Sequence, residues 1–146
     1  REIGPQLDPT YLWGDVLGRT ADRLETHPDD PWSWFARGEA LSHVGRHDEA
    51  VAAFDRARAI GLPFRAFWYQ FGAYRSLMAV GAFDRVVALA DETIETMAGE
   101  NLEESHYWRG MALEALGRHE EAGESLRAAL SYNPNFTPAR EALGAP

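Results

Sequence analysis

The chain repeats itself. Trp34–Ala50 reads WFARGEALSHVGRHDEA, and Tyr107–Ala122 reads YWRGMALEALGRHEEA. Arg37-Gly38 aligns with Arg109-Gly110, and Gly45-Arg46-His47 with Gly117-Arg118-His119, at an offset of 72 residues. An internal period is the strongest constraint on a fold, because it means one supersecondary unit stacked on copies of itself. The offset is two periods of 36, so a middle copy should lie between. Trp68, Phe71 and Gly72, followed by Gly81-Ala82-Phe83-Asp84, supply it.

Each copy reads as two helices. Trp32 to Val44 carries Trp34, Leu41 and Val44 at helical spacing, and Gly45 ends it with a turn that glycine adopts freely. Asp48 to Ile60 returns, with Ala50, Val51, Phe54, Ala57 and Ile60 facing inward, until Gly61-Leu62-Pro63. The second pair is expected over about 64–80 and 83–97, and the third over about 102–116 and 120–132. Asn133-Pro134 closes the last helix. Thr10–His27 is a further helix leading into His27-Pro28-Asp29-Asp30-Pro31, where Asp30 can cap a helix and Pro31 fits its first turn. It reads as a second helix without its first. Thr137–Leu143 starts a short helix that can cover the last repeat. The fold class expected is all-α, an antiparallel helix-pair solenoid. Residues 1–9 are an extension, 10–28 an unpaired helix, 31–62, 63–98 and 102–134 three repeats, and 136–144 a cap. The 10–146 stretch is read as one domain. The middle copy departs from its neighbours. It is two residues longer between Gly72 and Gly81. Val86 and Ala90 then stand where alanine and a large aromatic are expected, and Leu89 and Ile94 are candidates to fill the space.

These residues resemble the tetratricopeptide repeat family, whose pattern is W-x2-L-G-x2-Y, then A-x3-F, then A, then P. The first copy matches with Trp34, Gly38, Leu41, Ala50, Phe54 and Ala57. The third matches with Gly110, Leu113, Ala122, Leu126, Ala129 and Pro134. The resemblance spans 15–143 and implies a right-handed superhelix that binds a protein or peptide in its concave groove. A second resemblance is contextual. Gly61–Arg65, Phe67–Gly72 and Asn133–Ala139 are similar to repeat regions attached to bacterial papain-like, bacteriocin-processing cysteine peptidases. It implies an alternative function, an accessory domain that positions substrate for a catalytic part outside this chain. The chain opens at Arg1 without a leader and reads as a piece of a longer product.

Composition removes other classes. There is no cysteine, hence no thiol nucleophile, thiolate metal site or disulfide. The net charge is −9 and every basic residue other than histidine is arginine, which opposes phosphate backbones and anionic lipid. No apolar run is long enough to span a bilayer. His43 and His47 are four apart, but Gly45 lies between them at a turn. His47 and His119 hold one repeated position, which speaks for architecture rather than a metal. The pairs Asp29-Asp30, Asp48-Glu49 and Glu120-Glu121 sit at helix starts, where negative charge is favoured. The expectation is therefore a non-enzymatic scaffold with no cofactor and no metal. Its partner is a protein or peptide, or another domain of the same polypeptide, not nucleic acid and not membrane. A homodimer is a further option. The compartment is left open.

In the family resembled, the first helix of each pair lines the groove. Counting from each repeat's glycine, the positions are three before and one after. That selects Phe35 and Glu39, Tyr69 and Ala73, and Tyr107 and Met111. Trp32 and Gln70 lie beside them. The site expected is thus Trp32, Phe35, Glu39, Tyr69, Gln70, Tyr107 and Met111, solvent-facing and aromatic. Chaperone-binding members of the family hold a terminal carboxylate with Lys, Arg and Asn, and these positions carry no such set.

Overall fold

A computed structural model describes residues 9–62, 72–97 and 102–144. Those residues form helices joined by turns, with no strand among them: α1 (Pro9–Thr26), α2 (Pro31–His43), α3 (His47–Ile60), α4 (Gly72–Ala79), α5 (Phe83–Thr96), α6 (Glu103–Ala115), α7 (His119–Tyr132) and α8 (Thr137–Ala142).

Local chemistry explains the boundaries. The Asp30 carboxylate accepts from the Trp32 N–H at 3.2 Å and from the Ser33 hydroxyl at 2.7 Å, and Pro31 occupies the first turn of α2. The Ser33 hydrogen bond and the Trp32 N–H hold the Asp30 carboxyl below its ordinary range. At the other end, Gly45 takes φ +83°. The Arg46 N–H then reaches back to Leu41 O, and the Gly45 N–H to Ser42 O. This pair of bonds satisfies carbonyls that the helix end would otherwise leave open. Glu103 and Glu104 fall in the first turn of α6, joining the other acidic pairs at helix starts.

The same turn recurs at a strict interval. Gly81 and Gly117 repeat the positive φ, and Ala82 N to Leu77 O and Arg118 N to Leu113 O repeat the bond. Each set lies 36 residues after the one before. The middle copy therefore has no insertion, and its expected two extra residues are corrected. The position equivalent to Gly38 and Gly110 is Tyr74, not Gly72, and the position equivalent to Phe54 and Leu126 is Ala90. Tyr74 is 2% exposed and Ala90 fully buried. Large and small side chains have exchanged places in the repeat.

The chain divides within α4 into two compact units, 1–76 and 77–146. In the first, α2 packs on both α1 and α3, and Leu41, Ala50, Ala53, Phe54 and Ala57 form the core. A Cβ on Gly38 would sit 2.8 Å from the Phe54 ring, so only glycine lets α3 approach this closely. In the second, α6 packs between α5 and α7. Gly110 performs the same service, since a Cβ there would lie 2.8 Å from Leu126 Cγ and 3.2 Å from Ala122 O. Helix α8 buries Ala139 against Leu126 and Ala129, with Tyr107, Leu130, Phe136 and Leu143 around it.

Candidate functional site

Helix α2 carries the first group of expected contact residues. Trp32, in its first turn, is 56% exposed. Phe35 is not solvent-facing, and that expectation is corrected: it is 4% exposed and meets Phe54 edge-on, with ring centroids 5.6 Å apart. The cause is Gly38. It draws Phe54 onto α2, and Phe54 then covers the residue one helical turn earlier.

Glu39 is buried as well, at 9% exposure, against the expectation of a solvent-facing side chain. Its carboxylate lies so close to the Gly72 backbone that a Cβ there would fall 2.5 Å from Oε1. Burial raises the Glu39 carboxyl above its ordinary value, while Arg75 and the Gly72 N–H pull the other way. Glu39 Oε1 and Arg75 Nη2 are both buried without a hydrogen-bond partner. Around them, Arg75 Nε donates to the Ser42 hydroxyl at 3.1 Å, and that hydroxyl donates to Gly72 O at 3.3 Å. His43 Nε2 stands 3.9 Å from Glu39, and its ring stacks on Trp13 at 4.1 Å. Burial and Arg75 lower its proton affinity. Glu39, Ser42, His43 and Arg75 thus form a polar cluster of the first unit that the sequence reading missed in all but Glu39. Its signal was available, because a strict period of 36 places Arg75 at the position of Glu39.

In the second unit, Tyr107 is half-buried and packs edge-on to Phe136 at 5.7 Å and Trp108 at 5.2 Å. Burial, Glu104 and Glu141 raise its hydroxyl pKa. Part of this aromatic therefore serves the cap, not an open surface. Met111, at the position of Glu39, is half-buried. Tyr69 and Gln70 lie outside the described residues. The register shows that Tyr69 does not share the position of Phe35 and Tyr107, which belongs to Phe71.

The repeated histidines have different partners. His47 Nδ1 hydrogen-bonds with the Ser76 hydroxyl at 3.0 Å, and His119 Nδ1 with Glu114 at 2.7 Å. Among the described residues no three of His, Asp and Glu gather where they could hold a metal. No helix among them is long and apolar enough to cross a membrane.

Two tetratricopeptide-repeat models match, one over residues 24–52 and one over 103–136. The first match includes Gly38, and the second includes both Gly110 and Leu126. The chain carries tetratricopeptide repeats. They make it an interaction scaffold and point to a non-catalytic role. It is similar to ESX-5 secretion system protein EccA5 of Mycobacterium tuberculosis, at 40% identity over 115 residues, 77% of this chain and 18% of that protein. EccA5 of Mycobacterium marinum is 38% identical over 134 residues, 86% of this chain and 22% of that one. The repeat chain thus spans about a fifth of the length of these relatives. Its fold is shared with a MamA RS-1 ArsTM double mutant, at TM-score 0.72 and 18% identity, over 94% of this chain and 82% of that one.

Proposed function

We propose that this tetratricopeptide-repeat chain holds an extended segment of another protein, or of a neighbouring part of its own polypeptide, on the faces of its first helices. Trp32 carries the reading. A capped, rigid helix keeps a large aromatic at the surface, where such anchors supply contact area at low entropic cost. In the third repeat the contact face is Met111 with the open part of Tyr107, and Met111 adds an adaptable surface. Glu104 and Glu114 lie on α6 beside it, so the segment bound there carries apolar side chains and some positive charge. Tyr69 and Gln70 remain proposed contacts of the middle repeat. Phe35 and Glu39 act behind the surface, as support. Similarity to EccA5 favours a place in a protein secretion system over the peptidase-accessory alternative.

Panning a random peptide library on the immobilised full chain tests this. Enrichment of extended apolar segments with basic residues is expected. Trp32→Ala and Met111→Ala should each weaken the selected peptides by about tenfold, the scale of one anchor lost. No enrichment, or affinities unchanged in both variants, would overturn the proposal.

A further inference from the structure

The third repeat has an indole at a position where the first repeat has alanine. Trp108 is half-buried on α6, its indole nitrogen fully so, and its ring lies edge-on to Tyr107. Seventy-two residues earlier stands Ala36. Beside Ala36 there is a pocket of about 370 Å³ between α1 and α2, lined by Val16, Arg19, Thr20, Arg23, Ser33 and Ala36. That volume lies within the roughly 300–1,000 Å³ of small-ligand sites.

The pocket is more apolar than its residue names suggest. The Thr20 hydroxyl donates to Val16 O at 2.8 Å, and the Ser33 hydroxyl to Asp30 at 2.7 Å. Both polar groups are already satisfied within the chain, so a ligand owes them nothing. Val16 and Ala36 add aliphatic surface. Arg19 and Arg23 stand at the rim, each exposed and anchored on one side, to Asp15 at 2.9 Å and to Asp30 at 3.4 Å. Trp32 projects one turn before Ala36 on the same side of α2.

The charges reverse between the repeats. The α5 positions equivalent to Arg19, Thr20 and Arg23 are Asp91, Glu92 and Glu95. Where the third repeat supplies its own indole, the accompanying helix is acidic. Where the first repeat has Ala36, the three equivalent positions of α1 carry two arginines and no acid. We propose that the α1–α2 pocket receives an aromatic side chain of a partner protein, flanked in that partner by carboxylates. The apolar floor takes the ring, and Arg19 and Arg23 take the acids by charge-assisted hydrogen bonds. This goes beyond the scaffold reading, because it assigns a separate pocket and a separate chemistry.

The test titrates the full chain with a blocked tripeptide, tryptophan between two glutamates. The backbone amide signals of Thr20, Ser33 and Ala36 are followed by NMR. Saturable shifts are expected, with affinity about tenfold lower when alanine replaces the tryptophan or arginines replace the glutamates. Ala36→Trp should fill the pocket from within, abolish the shifts, and melt no lower than the natural chain. A double variant, Arg19→Glu with Arg23→Glu, should transfer the preference to the arginine-flanked peptide. Equal shifts from the alanine peptide, persistence in folded Ala36→Trp, or no shifts in the natural chain would overturn the proposal. None of these outcomes touches capture of segments by Trp32 and Met111, so the two readings fail separately.

Discussion

The first and third repeats make the same close contact and finish it differently. Gly38 admits the flat ring of Phe54, and Gly110 admits the branched side chain of Leu126. In the first repeat a second aromatic, Phe35, is then needed to complete the core. In the third, the residue at that position, Tyr107, is free to lean on the cap helix. The middle repeat reverses the sizes, with Tyr74 in the glycine position and Ala90 opposite in the pattern. One large and one small residue occupy these two positions in each copy, so the pattern keeps volume rather than residue type, which is how cores tolerate substitution.

Four experiments probe that comparison. Phe54→Ala should have the largest effect, a loss of about 3–5 kcal/mol in chemical denaturation, against about 2–3 for Leu126→Ala. If the volume argument holds, adding Gly38→Tyr to Phe54→Ala copies the middle repeat and recovers part of the loss; no recovery would mean that the exchange needs the middle repeat's own surroundings. Next, Gly38→Ala and Gly110→Ala should each cost about 1–2 kcal/mol, overpacking outweighing the helical gain of alanine. Gly110→Ala should cost at least as much, because one of its close neighbours is the backbone oxygen of Ala122, which cannot swing aside.

The third experiment concerns the first unit alone. The Glu39 carboxyl is raised by burial above its ordinary value of 4.5. A raised carboxyl contributes stability below its unfolded pKa and loses it as pH rises through the folded value. Glu39→Gln should therefore melt higher than the natural chain well above pH 4.5, with the gain shrinking as the pH falls below it. A gain independent of pH would point to packing instead. The smallest effect is expected from the exposed pairs Arg46–Glu49 and Arg118–Glu121, which repeat the same geometry at the start of α3 and α7. Arg46→Ala and Arg118→Ala should leave the melting temperature unchanged within error, since solvent screens such pairs. A clear drop in either would show that the pair helps start its helix.

Much of this was legible beforehand because it is written in local chemistry. Gly45, Gly117, Asp30 and Pro31 announce helix ends through backbone freedom and capping. Alanine and phenylalanine at fixed spacing announce which faces close together. The site was less legible. Phe35 reads as surface only if its neighbours are ignored, and Gly38, three residues on, is what buries it. Gly72 looked like the repeat's close-packing glycine, yet it faces Glu39 of the preceding repeat. The equal spacing of Gly45, Gly81 and Gly117 contained the right register, but the glycine at 72 concealed it.

The helix-pair repeat, its period and its helix caps follow from residue order alone, because each depends on neighbours within a few positions along the chain. Which side chains stay at the surface was decided by packing. A Cβ missing at Gly38 moves a ring over Phe35, and one missing at Gly72 brings backbone against the Glu39 carboxylate. A pocket opens beside Ala36, between α1 and α2. Each of these joins residues from different helices across distances of a few ångströms. Burial is a property of that assembled neighbourhood, and no residue carries it by itself.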